Sequence, residues 1–242
     1  MDPALPGALN MARDHALALD APADRALIRL YRWERPTLSL GRNEPAGGRW
    51  DLGAIERLGV DVVRRPTGGR AVLHARELTY AAVVPVRALG GPRCAYRWIH
   101  EQLARALASL GVEAEIARDP EHATAVDGGP CFQVAAGGEV VVGGRKLVGS
   151  AQLRVGGTLL QHGSILIGDD QGMLDELGGG GSAESDRPAA LDEVLGRPLA
   201  VGELEDAVLE AFGACTLDAM PTTSAEIELT ERYRSEAWTW RR

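Results

Sequence analysis

The chain has 242 residues, 45% of them hydrophobic, and its 26 basic and 34 acidic side chains give a formal charge of −8. That length buries one substantial core, so one domain over residues 1–242 is expected; with no run of about 18 apolar residues and no signal-peptide start in Met1-Asp-Pro-Ala, so is a cytoplasmic protein without a membrane partner. The three cysteines, Cys94, Cys131 and Cys215, form neither a CxxC pair nor a zinc spacing with the five histidines, which argues against a disulfide framework and against a metal site.

In chain order, Asn10 to Leu19 has helical spacing behind a candidate Asn N-cap. Ala26–Trp33, Thr37–Gly41 and Val60–Arg65 read as strands, with a short helix over Leu52–Leu58. Ala71–His74 and Leu78–Val86 are further strands. Tyr96–Leu110 carries Trp98, Leu103, Leu107 and Leu110 on one stripe and is the clearest helix; Gly111 ends it and Val112–Ala117 returns as a strand. Cys94 and Cys215 read as small packing residues. Residues 139–167 form a three-stranded meander, because Gly143-Gly144 and Gly156-Gly157 each supply the positive φ of a two-residue hairpin. Residues 178–188 are a flexible Gly-rich loop, and residues 189–242 form an acidic helical segment packed on the domain, with helices over Gly202–Phe212 and near Thr230–Trp238. Neighbouring strands with few crossover helices predict an α/β domain with a mixed, largely antiparallel sheet flanked by helices.

Side-chain alternation in the meander places Lys146, Val148, Ser150, Gln152, Gln161, Gly163 and Ile165 on one face. The other face, with Leu147, Leu153, Leu160 and Leu166, is the expected core side, which leaves room for a ligand beside Lys146. Lys146 is the only lysine; the other 25 basic residues are arginine. Arginine cannot replace a compact ammonium or give up its proton, which makes Lys146 a candidate for chemistry. Cys131, in the loop Asp127-Gly-Gly-Pro-Cys-Phe132, is the candidate nucleophile, since a nearby cation lowers a thiol's pKa from about 8.5.

Residues 1–165 hold 20 basic and 17 acidic side chains, whereas residues 166–242 hold 6 and 17. The basic segment, with Arg64, Arg65, Arg70, Arg76, Arg145, Lys146 and Arg154, favours a small anion or an acidic protein over extended nucleic acid. In Arg64-Arg-Pro-Thr-Gly-Gly-Arg-Ala-Val-Leu-His74 the glycines Gly68 and Gly69 let backbone N–H groups approach a ligand oxygen, with Arg65 and Arg70 to complement its charge. The same loop also reads as a hairpin turn without function. His74 reads either as a base or as a hydrogen-bonded structural residue.

Together with Glu77-Leu-Thr-Tyr80, Gly144-Arg-Lys-Leu-Val-Gly-Ser-Ala-Gln152 and Leu160-Gln-His-Gly-Ser164, that loop makes the chain resemble the biotin/lipoate protein ligase superfamily from about Asn10 to Phe212. The Cys-Phe pair and Gly-Ser-Ala-Gln are similar to its cysteine-dependent octanoyltransferase branch. The resemblance implies that Cys131 takes an octanoyl group from acyl carrier protein as a thioester and passes it to a lysine of a lipoyl carrier domain. It implies that Lys146 activates Cys131 and orients the carbonyl, that no cofactor is needed, and that Arg65, Gly68, Gly69, Arg70, His74, Gly149, Ser150, Ala151, His162 and Gly163 bind substrate. The residue after the motif histidine, commonly Asp in the family, is Ala75 here. Two rival readings are an ATP-dependent lipoate or biotin ligase and a non-catalytic binder of lipoyl domains or acyl ligands.

Overall fold

The computed structural model describes residues 3–22, 24–118, 132, 137–178, 187–214 and 222–241. Strands β1 (Leu27–Tyr31), β5 (Glu77–Pro85), β9 (Thr158–Leu166), β8 (Arg145–Val155), β7 (Val140–Val142) and β6 (Glu115–Ile116) form a six-stranded sheet in the order β1-β5-β9-β8-β7-β6. Every neighbouring pair in it is antiparallel. A second sheet has the order β3-β2-β4, with β2 (Thr37–Leu40) parallel to β3 (Asp61–Arg64) and antiparallel to β4 (Val72–His74). The parallel pair needs a crossover, which α2 (Leu52–Arg57) supplies; the Asp51 side chain caps it by accepting from the Ala54 N–H at 3.0 Å.

The meander folds as its glycines dictate. Gly143 (φ 56°) and Gly144 (φ 76°) turn β7 into β8, and Gly156 (φ 55°) opens the turn into β9. Val148 faces Ile165, Ser150 faces Gly163 and Gln152 faces Gln161, the register that two-residue turns require. One irregularity interrupts the alternation: a bulge at Val140/Val141 pairs Val141 with Lys146 but Val140 with Val148.

Both faces of the large sheet are buried, where only one was expected to be. On one face, Leu30, Leu78, Tyr80, Val148 and Ile165 pack against Ile99, Leu103 and Leu107 of α3 (Pro92–Ser109) and Leu204 and Val208 of α6 (Val201–Ala211). On the other, Tyr31, Ala81, Val83 and Leu160 pack against Met11, Ala12 and Ala16 of α1 (Gly7–Asp20) and against Leu229 and Tyr233 of α7 (Ser224–Arg234). In α3 the buried stripe is Ile99, Leu103, Ala106 and Leu107, with Trp98 and Leu110 at its partly buried margin. Each fully buried leucine there contributes roughly 1.5–3 kcal/mol of apolar transfer. Cys94 is exposed at the start of α3 rather than packed.

Asn10 is not a cap, because α1 begins three residues earlier at Gly7. A Cβ at Gly7 would meet Thr37 and Trp33 at 3.1 Å, so glycine permits the helix to start close against the small sheet and the Trp33 ring. Asn10 is fully buried instead, donating from Nδ2 to the carbonyls of Leu5 (3.1 Å) and Arg32 (3.2 Å). Beyond the sheets lie short helices α4 (Met173–Glu176), α5 (Leu191–Leu195) and α8 (Glu236–Thr239).

Candidate active site

A cavity opens between the two sheets, against the start of α1. It is lined by Met11, Tyr31, Trp33, Val72, Thr79 and Gly69, by Ser39, Arg65 and His74, and by Gly149, Ser150, Ala151, His162, Gly163 and Ser164. Of the residues expected to bind substrate, Arg65, Gly69, His74, Gly149, Ser150, Ala151, His162 and Gly163 are brought together here. The face is the reverse of the expected one. Gly149, Ala151, His162 and Ser164 alternate with the Ser150–Gln152–Gln161 set. The Ser150 face is covered by α3, where His100 Nε2 lies 2.8 Å from Ser150 Oγ. Alternation fixed which residues share a face, but which face met the cavity depended on how the second sheet docks.

Glycines let backbone segments approach one another closely around the cavity. A Cβ at Gly163 would lie 2.4 Å from the Gly149 carbonyl oxygen, and one at Gly41 would lie 1.8 Å from that of Gly69. Gly69 itself has φ 90°. Gly68 and Arg70 do not line the cavity among the described residues. Arg65 is 5% exposed, and its guanidinium donates to the carbonyls of Ser39 (2.9 Å), Gly68 (2.9 Å) and Arg70 (2.6 Å), shaping the loop. Arg64 is fully buried and donates to the carbonyls of Gly41, Glu44 and Thr239. Neither arginine is placed to attract an acidic partner from solvent.

Two hydrogen-bonded networks hold the cavity's histidines, and the sequence signalled neither. His162 Nδ1 lies 2.9 Å from Asp14 Oδ2 and its Nε2 lies 2.7 Å from Thr67 Oγ1. Asp14 also accepts from Arg29 (2.6 Å) and from the Tyr31 hydroxyl (2.8 Å). Burial works to raise the Asp14 pKa, but Arg29, His162 and Tyr31 together hold it below the usual carboxylate value. His74 Nδ1 lies 2.7 Å from Glu77 Oε1 and its Nε2 lies 2.7 Å from Ser39 Oγ, while its ring stacks on Trp33 at 4.0 Å. Glu77 Oε1 accepts further from Thr79 and Ser164. These partners come from segments up to 148 residues apart, beyond the reach of any local spacing.

Lys146 lies beside the cavity rather than in its lining. It is 4% exposed, with Nζ 2.8 Å from Glu139 Oε1 and 5.3 Å from the centre of the Phe132 ring. Phe132 is buried against Gly149, where a Cβ would come within 2.8 Å of the ring. One aromatic ring therefore separates the ammonium from the cavity. Cys131, Cys215 and the Gly-rich residues 179–186 lie outside the described residues.

Under the same strand, His100 Nδ1 lies 2.6 Å from the Gly138 carbonyl and Nε2 accepts from Ser150, whose hydroxyl lies 2.6 Å from that of Tyr80. Burial, with the Lys146 charge adding to it, outweighs the Gly138 carbonyl and lowers the His100 pKa from 6.5 to about 4. A histidine that stays neutral in the fold contributes stability that is full above pH 6.5 and is lost as pH falls toward 4, because the unfolded chain takes up the proton first. Denaturant unfolding at pH 7 and pH 4 should lose about 3 kcal/mol on this account. In His100→Gln that part of the pH dependence should be missing.

The described residues contain no helix long and apolar enough to cross a membrane. Residues 6–213 match the family model of the lipoyl protein ligase A/B catalytic domain. Over 97% of its length the chain is 37% identical to octanoyltransferase LipM of Kyrpidia tusciae and 39% identical to that of Symbiobacterium thermophilum, covering 95% and 90% of those proteins. It superposes on lipoate-protein ligase A bound with ATP with a TM-score of 0.81 at 22% identity, covering 99% of this chain and 96% of that one. A bipartite lipoate protein ligase from Thermoplasma acidophilum gives 0.76 at 21% identity over 98% and 94%. The antiparallel sheet and its flanking helices are thus the fold of the lipoyl protein ligase A/B catalytic-domain family, to which this chain belongs as an acyltransferase.

Proposed function

We propose that the chain moves an octanoyl group from an acyl carrier protein to a lysine of a lipoyl carrier domain, through a thioester on Cys131. The observation that carries this reading is the setting of Phe132, the residue after Cys131 in sequence, whose ring touches the cavity at Gly149 on one side and the Lys146 ammonium on the other. The relatives named as octanoyltransferases span nearly the whole chain and favour the octanoyl group over lipoate as the cargo.

In this reading the acyl chain lies along Met11, Trp33 and Val72, gaining roughly 0.8 kcal/mol for each methylene removed from water. The Cys131 thiolate attacks the donor's thioester carbon; a new S–C bond forms and the carrier's thiolate leaves and takes a proton. The neutral amine of the acceptor lysine then attacks the acyl-enzyme, an amide forms, the amine gives up its proton, and the Cys131 thiolate is restored. Lys146, across the Phe132 ring from the cavity, favours the thiolate and the negative charge that develops on the carbonyl oxygen electrostatically. Splitting the transfer in two removes any need for both carriers to be bound at once. Neither metal nor nucleotide takes part.

Intact-mass measurement after incubation with octanoyl-carrier protein tests this. A gain of one octanoyl group is expected without ATP, and its absence in Cys131→Ala. Labelling that needs ATP, or that persists in the variant, would assign the chain to the acyl-adenylating ligases instead.

A further inference from the structure

Many arginines of this acidic protein meet carboxylates: Arg29 meets Asp14, Arg49 meets Glu44, Arg145 meets Glu193 and Arg197 meets Glu203. Four others are held together without one. Arg42 follows β2, Arg154 lies at the end of β8, Arg232 is in the last turn of α7 and Arg241 follows α8. No carboxylate among the described residues forms an ion pair with any of them. The guanidiniums of Arg232 and Arg241 each lie 3.9 Å from the centre of the Trp238 indole, and Arg241 donates to the Arg42 carbonyl. Arg42, Arg154, Arg232 and Trp238, with His15 and Tyr233, line a cleft of about 190 Å³.

Like charges this close repel one another, and a counter-anion relieves the repulsion. The local field is visible in the neighbouring groups. Burial, followed by the charges of Arg232 and Arg42, lowers the His15 pKa, and burial followed by Arg42 and Arg232 lowers that of Arg241. Two of the four arginines belong to residues 166–242, the acidic part of the chain, so the charge map of the sequence gave no sign that they would gather here.

The cleft adjoins the acyl cavity. Gly149 and Ala151 of β8 line the cavity, and Leu153 and Val155, on the same face of that strand, line the cleft. Pro66, also in the cleft, sits between Arg65 and Thr67 of the glycine loop. From Ala151 to Val155 the strand advances roughly 13 Å, a span that an extended pantetheine arm bridges between its thioester sulfur and its phosphate.

We propose that the cleft lined by Arg42, Arg154 and Arg232, with Arg241 stacked on its Trp238, binds a phosphate ester, the phosphodiester of the donor's pantetheine arm, while the acyl chain occupies the neighbouring cavity. This rests on the carrier-thioester reading above and adds what would select that donor. Arginines bind phosphate oxygens through charge-assisted, often bidentate hydrogen bonds, and an indole flanked by two guanidiniums holds them in place.

Titration calorimetry with 4′-phosphopantetheine, with pantetheine, and with ATP tests it. Phosphopantetheine should bind at least about tenfold more tightly than pantetheine at low salt, with the advantage shrinking as salt rises. Arg42→Ala and Arg232→Ala should each reduce that advantage about tenfold. Arg154→Ala, at an exposed side chain that hydrogen-bonds the Gly156 carbonyl, should reduce it without disturbing the Trp238 stack. Equal binding of the two pantetheines, or an advantage retained in all three folded variants, would overturn the proposal. Arginine-dependent binding of ATP without binding of phosphopantetheine would assign the cleft to nucleotide phosphates and overturn it as well. None of these measurements needs acyl transfer, so a failure of Cys131 to acylate would leave their outcome readable.

Discussion

Lys146→Arg should be nearly as damaging as Lys146→Ala, each lowering single-turnover octanoyl transfer by at least about 100-fold. Arginine keeps the positive charge, and the chain uses it at its other 25 basic positions. A lysine that only supplied surface potential would tolerate the exchange. Lys146 is instead buried, with Nζ wedged between Glu139 and the Phe132 ring. A planar guanidinium is wider than an ammonium, and entering this site it would displace Phe132 from Gly149.

A structural role has to be separated from a chemical one here. Removing Lys146 leaves Glu139, 3% exposed, as a buried charge without that counter-charge, which by itself costs stability. The Lys146→Ala/Glu139→Gln pair resolves the two. Stability in urea should largely return in the double variant while transfer stays low, as a reagent-like lysine demands. Recovery of transfer along with stability would mean that Lys146 serves only to neutralise Glu139.

Asp14→Asn should destabilise the protein by about 3–5 kcal/mol, the usual cost of leaving one partner of a buried pair uncompensated. Asp14 is fully buried and Arg29 is 7% exposed, and the change leaves the guanidinium with Asn10 and the face of the Tyr31 ring but without its carboxylate. Replacing both, as in Asp14→Asn/Arg29→Met, removes the orphaned charge and should recover a good part of the loss. The pH dependence has a definite sign. Because the folded-state pKa of Asp14 lies below its ordinary value of 3.8, its contribution is present above that value and is lost as pH falls through the lower folded one. Wild type and Asp14→Asn should therefore differ fully at pH 6 and converge only in strong acid. A gap that closes already near pH 5 would place the cost elsewhere than in the carboxylate. His162, deprived of Asp14, should also lose its fixed orientation in the cavity, which a fall in transfer rate by the refolded variant would report.

Local physics made the meander legible before any tertiary contact was known. Paired glycines at 143–144 and 156–157 allow only tight turns, tight turns set the register, and Val148 meets Ile165 as that register requires. The helical stripe through Leu103 and Leu107 and the isolation of Lys146 among arginines were likewise properties of spacing and residue type. The family resemblance rested on the same short motifs, whose Gly69, Gly149, Gly163 and His162 meet at one cavity.

What the tertiary structure alone decided lies in contacts between distant segments. Period-two alternation sorts side chains into two sets, but it is symmetric between them. Only the docking of the small sheet and α1 assigned the cavity to the Gly149–His162 set and gave the Ser150 set to α3. Charge in a sequence likewise has a sign but no partner. Arg64 and Arg65 looked available in the glycine motif, yet they bind backbone carbonyls; Arg232 and Arg241 looked diluted in an acidic tail, yet they stack on one indole. Electrostatic and hydrogen-bond energies fall off within a few ångströms, so they follow the folded neighbourhood of a residue and not its place in the chain.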